Sequence, residues 1–172
     1  MSRFYKNSFL ANLVRFMPIL LLFISVLNEI DFNTLVFKYF SFNFSYILIF
    51  YFSLKKSESL GYGLIFVAGL FNDAITGFPL GVSSLIYLLI CGFAAYLRNI
   101  TLRPNLIKDW MFFLITILVV NSILYTVLTL IFSYQIDYFD KLSNTFFTFF
   151  LYLIFSYFFQ IYEKLISGIS NV

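Results

Sequence analysis

One stretch of the sequence limits the possible folds more than any other. Across residues 61–97 the only charged residue is Asp73. Such a run is too long for one membrane helix, which needs about 20 apolar residues, and suits two short helices joined by a tight turn. The turn is predicted at 76–81, where Gly77 can end a helix in the left-handed conformation and Pro79 prevents its continuation. The stretch therefore predicts a helical hairpin inside a membrane.

The composition indicates that lipid is the main solvent of the folded chain. Of 172 residues, 62% are hydrophobic and 11% are charged, and the mean hydropathy is +0.94. A soluble domain of this size needs more polar side chains to cover the surface that faces water. The net charge of +3 is small, and no basic stripe with interleaved aromatic residues indicates a nucleic-acid partner. We expect the lipid bilayer as the surroundings and no nucleic acid as a partner.

Six apolar segments separated by short polar breaks are predicted to cross the membrane. Their approximate limits are 9–27, 36–54, 61–76, 82–97, 110–132 and 144–161. The first segment has no small-residue cleavage site near its end, so we expect a retained helix rather than a signal peptide. The sequence thus predicts an all-α integral membrane protein, a six-transmembrane-helix bundle that forms a single membrane domain over 1–172.

The positions of the positive charges predict the orientation of this bundle. If the N-terminus is cytoplasmic, the inner side holds Arg3, Lys6, Lys55, Lys56, Arg98, Arg103, Lys108 and Lys164. The outer side then holds Lys38 and Lys141, together with the acids Glu29, Asp31, Asp137 and Asp140. Lysine and arginine in short loops favour the cytoplasmic side of a membrane. We therefore expect both termini in the cytoplasm.

Asp73 is the strongest candidate for a special role. An acid inside a membrane helix costs about 2.5 kcal/mol or more near the bilayer centre, so it normally faces the bundle interior and finds a partner. Gly69, four residues earlier, lets a neighbouring helix approach the same face. Candidate hydrogen-bond partners are Asn72, Ser83, Ser84 and Asn121. The carboxylate either caps and fastens the hairpin or forms a proton, ion or substrate site; the first is favoured because no second acid or base is near in sequence.

The sequence argues against an enzyme. It contains no histidine, which excludes Ser-His and Cys-His nucleophile pairs and histidine metal ligands. A lipid head-group transferase would need several acids to hold a metal ion, and an aspartic intramembrane protease would need two aspartates. We expect no catalytic residue, no metal and no cofactor.

A basic cluster is predicted between the fourth and fifth segments. Its members are Arg98, Arg103 and Lys108. These side chains could bind a cytoplasmic partner or anionic lipid. They could equally serve only to orient the helices in the membrane. Both interpretations remain open.

The stretch 69–98 resembles the rod shape-determining protein MreD family. Members of that family carry a helix with Gly-Leu and a following Asp, then a Gly-x-Pro-Leu-Gly turn and a Leu- and Tyr-rich helix that ends in a basic residue. In this sequence those elements are Gly69-Leu70, Asp73, Gly77-Phe78-Pro79-Leu80-Gly81, Leu85, Tyr87-Leu88-Leu89 and Leu97-Arg98. Ser84 stands where the family often has Ala. Outside this stretch the likeness is limited to length and predicted topology.

The resemblance implies a non-enzymatic scaffold subunit of the bacterial cell-elongation complex, the elongasome, in the inner membrane. Such subunits associate with the membrane span of MreC, and through it with the MreB filament and peptidoglycan synthases, and so support cell shape and peptidoglycan synthesis. The fold of the family is similar to the small six-helix binding subunits of energy-coupling vitamin transporters. The second hypothesis is therefore a small-molecule or ion-binding membrane transport subunit that uses Asp73.

Overall fold

The computed structural model describes residues 16–27, 42–55, 60–101, 105–134 and 138–170. Within these ranges the chain is all-helical and contains no strand. The helices are α1 Phe16–Leu27, α2 Phe44–Lys55, α3 Tyr62–Thr76, α4 Val82–Ile100, α5 Leu106–Leu130 and α6 Tyr138–Ser170. By length and composition, α4, α5 and the Tyr138–Lys164 part of α6 can each cross a membrane, whereas α1, α2 and α3 are apolar but shorter.

Helix α2 is surrounded by other helices. Its residues 45–54 are all buried, so this helix has no side that faces lipid or water. A helix that is apolar on every side is expected in the interior of a bundle. The ring of Phe50 lies 5.0 Å from that of Phe113 in α5 and 5.8 Å from that of Tyr152 in α6. Because lipid does not contact α2, its twelve residues need not match the thickness of a bilayer.

Helices α3 and α4 form the hairpin at the position that the turn motif predicts. Helix α3 ends at Thr76, and Gly77 follows in the left-handed conformation with φ of 72°. Gly81 has φ of 99° and immediately precedes α4. Both angles favour glycine, since side chains with a Cβ rarely adopt them. We call the end of the bundle that contains this turn the turn end.

The predicted second segment, 36–54, overlaps α2. Residues 42 and 43 are not helical, and α2 begins at Phe44. The backbone N–H of Asn43 donates to Thr148 Oγ1 of α6 over 2.9 Å. A hydrogen bond across the bundle thus takes the place of one within a helix. Residues 36–41 lie outside the described residues, as do 9–15 of the first predicted segment.

The last three helices extend beyond one or both limits of the segments that are predicted to cross the membrane. Helix α4 continues to Ile100 rather than 97, α5 runs from Leu106 to Leu130 rather than 110–132, and α6 covers Tyr138–Ser170 rather than 144–161. Asn105 starts α5, where its side-chain oxygen accepts a hydrogen bond from the Ile107 N–H over 3.1 Å. Helices begin at such caps, whereas an apolar run marks only their hydrophobic part.

Candidate functional site

The carboxylate of Asp73 is buried in the hairpin, with no exposed surface. Its Oδ2 accepts a hydrogen bond from the Gly81 N–H over 2.7 Å, and its Oδ1 accepts one from the Ser83 N–H over 2.9 Å. The first N–H groups of a helix have no partner within that helix, and a negative charge is favourable near them. Asp73 of α3 therefore caps the start of α4.

The turn residues give this cap its geometry. The N–H groups of Gly77 and Phe78 both donate to the backbone oxygen of Asp73, which ends α3. The backbone oxygen of Pro79 accepts from the Val82 N–H over 3.2 Å. The N–H of Gly81, at the second left-handed position, donates to the carboxylate. Asp73, Gly77, Phe78, Pro79 and Gly81 thus each have a part in joining α3 to α4.

Gly69 brings the two helices into backbone contact one turn away from Asp73. A Cβ at this position would lie 2.6 Å from the backbone N and 2.8 Å from the Oγ of Ser84, and nearer still to its Cα. The Ser84 hydroxyl also donates to the backbone oxygen of Phe66 over 2.9 Å. The close approach expected from the spacing of Gly69 and Asp73 is therefore found between α3 and α4.

The expected partners of Asp73 are distributed differently from the prediction. Ser83 bonds to the carboxylate, but through its backbone N–H. Asn72 Nδ2 donates to Ser83 Oγ over 3.0 Å, and Asn121 Nδ2 donates to Thr145 Oγ1 over 2.8 Å. The two asparagines, like Ser84, are therefore bonded to groups other than the acid.

A cavity of about 300 Å³ lies at the turn end of the bundle, beside the hairpin. Its walls combine residues from α3, α4, α5 and α6 with the start of α2. Polar side chains that contribute to the walls include Asn72, Asn121, Tyr125, Tyr134 and Lys141. The volume is at the lower end of the range for small-molecule sites. This cavity is the candidate binding site of the protein.

Two buried amides in the cavity wall each keep one unused acceptor. Asn72 is 6% exposed and Asn121 is 5% exposed, and neither Oδ1 has a hydrogen-bond partner among the described residues. The Thr145 hydroxyl donates to the backbone oxygen of Lys141 over 2.9 Å, so it can only accept from Asn121. The atom of Asn121 that faces Thr145 must therefore be the amide nitrogen, Nδ2, and not the oxygen. Sequence reasoning singled out both asparagines without detecting their unpaired oxygens.

Two members of the predicted basic cluster, Arg98 and Lys108, lie in the described part of the chain. Arg98 Nη1 donates to the backbone oxygen of Ser53 over 3.1 Å and so joins α4 to α2. Lys108 is exposed on the first turn of α5. Arg103 lies outside the described residues. Arg98 therefore has a structural contact that the sequence did not predict, and Lys108 remains available at the surface.

An ion pair at the opposite end of the bundle was missed by the sequence analysis. Lys55 Nζ, at the end of α2, lies 2.6 Å from Asp109 Oδ2 in the first turn of α5. Asp109 is 3% exposed, and the side chain of Lys55 is 22% exposed. The predicted segments place Asp109 in the polar break between 97 and 110. Its place directly before a long apolar run was the one available sign that it lies inside the bundle.

Replacing Lys55 by methionine is expected to lower the free energy of unfolding by about 2 kcal/mol, because it leaves the buried Asp109 carboxylate without its cation. The double replacement Lys55→Met with Asp109→Leu should recover most of this loss. Lys108→Met, at an exposed position, is the matched control and should change stability by less than about 0.5 kcal/mol. SDS titration in mixed micelles measures the free energy of unfolding of all three variants. Equal stability of Lys55→Met and Lys108→Met would contradict a stabilising ion pair.

Comparison of the chain with protein-family models, with curated proteins and with solved structures finds no significant match. A functional assignment therefore depends on the motif residues of 69–98, on the hairpin that they form and on the cavity beside it.

Proposed function

We propose that this protein is a non-enzymatic scaffold subunit of the bacterial cell-elongation complex, of the MreD type. The observation that carries the proposal is that both oxygens of Asp73 accept hydrogen bonds from backbone N–H groups of the turn and α4. An acid used in this way fixes the shape of a helix pair. The residues on which the resemblance depends, Gly69, Asp73, Gly77, Pro79 and Gly81, are those that build this hairpin.

In this proposal the protein crosses the inner membrane six times, with both termini in the cytoplasm. Lys55, Arg98 and Lys108 lie at the end of the bundle away from the turn, which agrees with a cytoplasmic location for that end. The short helices are compatible with such a layout because α2 is enclosed by protein. The MreB filament lies on the cytoplasmic side and peptidoglycan synthesis on the outer side.

The outer faces of the long helices are available to lipid and to a partner helix. Large apolar side chains are exposed along α5 and α6, among them Ile115, Leu118, Phe146, Phe150 and Ile154. Helices associate in a bilayer through shape and close packing, which requires a surface of fixed form. A hairpin held by a backbone contact and a carboxylate cap supplies that rigidity. The partner in this proposal is the single membrane span of MreC.

Co-purification tests the scaffold. The chain and MreC of the same organism are produced together, with an affinity tag on MreC, and are extracted in mild detergent. We expect the chain to be retained, and Asp73→Leu to lower the retained amount more than Asp73→Asn does. Gel filtration of each variant alone separates a lost partner contact from a lost fold. Failure of the wild-type chain to co-purify in several mild detergents would contradict the scaffold function.

A second candidate function is a small-molecule-binding transport subunit, and the cavity at the turn end favours it. A scaffold has no need of such a cavity, whereas a transport subunit needs a place for its ligand, and two residues of the cavity wall have unpaired amide oxygens. A metabolite that stays with the protein through purification, together with no retention by MreC, would favour this function over the scaffold.

A further inference from the structure

We propose that the cavity at the turn end binds an anionic polyol group, namely two hydroxyl donors joined to a phosphate. The headgroup of phosphatidylglycerol has this chemistry, and so does free glycerol 3-phosphate. The inference is independent of the choice between scaffold and transport subunit, because either protein can carry such a site.

The two asparagines determine the donor side of the ligand. Each amide has already committed its Nδ2 to a hydroxyl, Asn72 to Ser83 and Asn121 to Thr145. The remaining Oδ1 atoms are acceptors, so only O–H or N–H groups can bind to them. A buried acceptor without a partner is unfavourable, and folded proteins rarely leave one unsatisfied. Both asparagines line the same cavity, and a ligand there with at least two donors would supply the partners that these oxygens lack.

Water is the simplest alternative occupant of the cavity. A single water molecule takes about 30 Å³ of liquid volume, and a buried water needs about three polar partners. The cavity, at about 300 Å³, has room for a molecule much larger than one water. Its walls also include the apolar side chains of Phe78, Leu124 and Leu128, which offer water no hydrogen bond. A polyol with a carbon skeleton fits this mixture of polar and apolar walls better than a water cluster does.

Lys141 determines the anionic side of the ligand. It lies in the first turns of α6 and contributes to the cavity wall. Among the described residues that line the cavity, it carries the only formal charge. An ammonium group is a favourable contact for a phosphate. An anion beside Lys141 and hydroxyls beside Asn72 and Asn121 would pair one ligand with all three of these side chains.

The position of the cavity makes a lipid headgroup a reasonable source. Asn121 and Leu128 lie in the second half of α5, and Lys141 lies near the start of α6. The start of α6, with Lys141, lies at the level of lipid headgroups if α5 and α6 cross the membrane, and Asn121 lies deeper in the bundle, nine residues before the end of α5. Phosphatidylglycerol would present its phosphate and two hydroxyls at this level. Free glycerol 3-phosphate could reach the same site from water.

Native mass spectrometry tests the proposal with matched lipids. The purified chain is titrated with phosphatidylglycerol and, separately, with phosphatidylcholine, which has the phosphate but no hydroxyl donor. We expect one site with a Kd about tenfold or more lower for phosphatidylglycerol. Glycerol 3-phosphate is tested by the shift of the unfolding temperature. Tight binding of the lipid identifies the lipid source, and a saturable shift with glycerol 3-phosphate alone identifies the free solute.

Two variants and one control locate the site. Asn121→Leu removes an acceptor at nearly constant size and should raise the Kd about tenfold. Ser122→Leu, on the exposed side of the same helix, should leave it unchanged. Lys141→Gln removes the positive charge beside the phosphate and should also raise the Kd. Because Lys141 is exposed, this variant keeps the test valid if Asn121→Leu does not fold. The proposal would be overturned if both lipids bound equally, if glycerol 3-phosphate did not shift the unfolding temperature and if the folded variants kept the wild-type affinity.

Discussion

Asp73→Leu is expected to lower the free energy of unfolding by about 3–5 kcal/mol, because two hydrogen bonds to a charged acceptor disappear together. The N–H groups of Gly81 and Ser83 would then have no acceptor, and Ser83 is buried. Asp73→Asn should cost about half as much, since the amide oxygen can still accept one of the two bonds. The NH₂ group of the asparagine would face the other backbone N–H, and two donors cannot form a hydrogen bond. SDS titration in mixed micelles gives the free energies.

The matched control for Asp73 is Asp140, an exposed acid in the first turn of α6. Asp140→Leu removes the same charge from a surface position and should change stability by less than about 1 kcal/mol. If Asp73→Asn and Asp73→Leu were both as stable as the wild type, and only transport or ion binding were lost, the capping role would be wrong. Asp73 would then be a ligand-binding acid, as the second hypothesis holds.

The hairpin could be predicted from sequence because its geometry is set locally. Gly77, Pro79 and Gly81 restrict the backbone at their own positions, whatever the rest of the chain does. Asp73 is only a few residues away, so its carboxylate has few groups to bind other than the start of the next helix. The approach of α4 to Gly69 follows from the same short connection.

Contacts between distant parts of the chain could not be predicted in this way. The pairing of Lys55 with Asp109 depends on which helix ends meet, and nothing in the local sequence fixes that choice. The cavity likewise requires α3 and α5 to present Asn72 and Asn121 to one space. The helices extend beyond the predicted membrane segments for a simpler reason. Hydrophobic runs show where a chain is apolar, whereas caps such as Asn105 decide where a helix begins.

Gly69→Ala is expected to lower the free energy of unfolding by about 3 kcal/mol, because overpacking is costly when backbone must move. The added Cβ meets the backbone N of Ser84 at 2.6 Å, as well as its Cα. Backbone atoms in two helices cannot give way as the end of a flexible side chain can. The helices must separate, and this movement would also lengthen the hydrogen bonds of Asp73 one turn away. SDS titration again measures the loss.

Two further substitutions separate steric contact from helix propensity. Gly63→Ala lies in the same helix with no neighbour within 4 Å of the added Cβ, so it should raise stability by up to about 1 kcal/mol. Ser84→Ala removes the Oγ but leaves the Cα and N in place. Combining it with Gly69→Ala should therefore restore little of the lost stability. If Gly69→Ala were as stable as Gly63→Ala, α3 and α4 could not be in backbone contact. A rigid hairpin would then be no basis for either proposed function, because the surface offered to MreC and the wall of the cavity both depend on it.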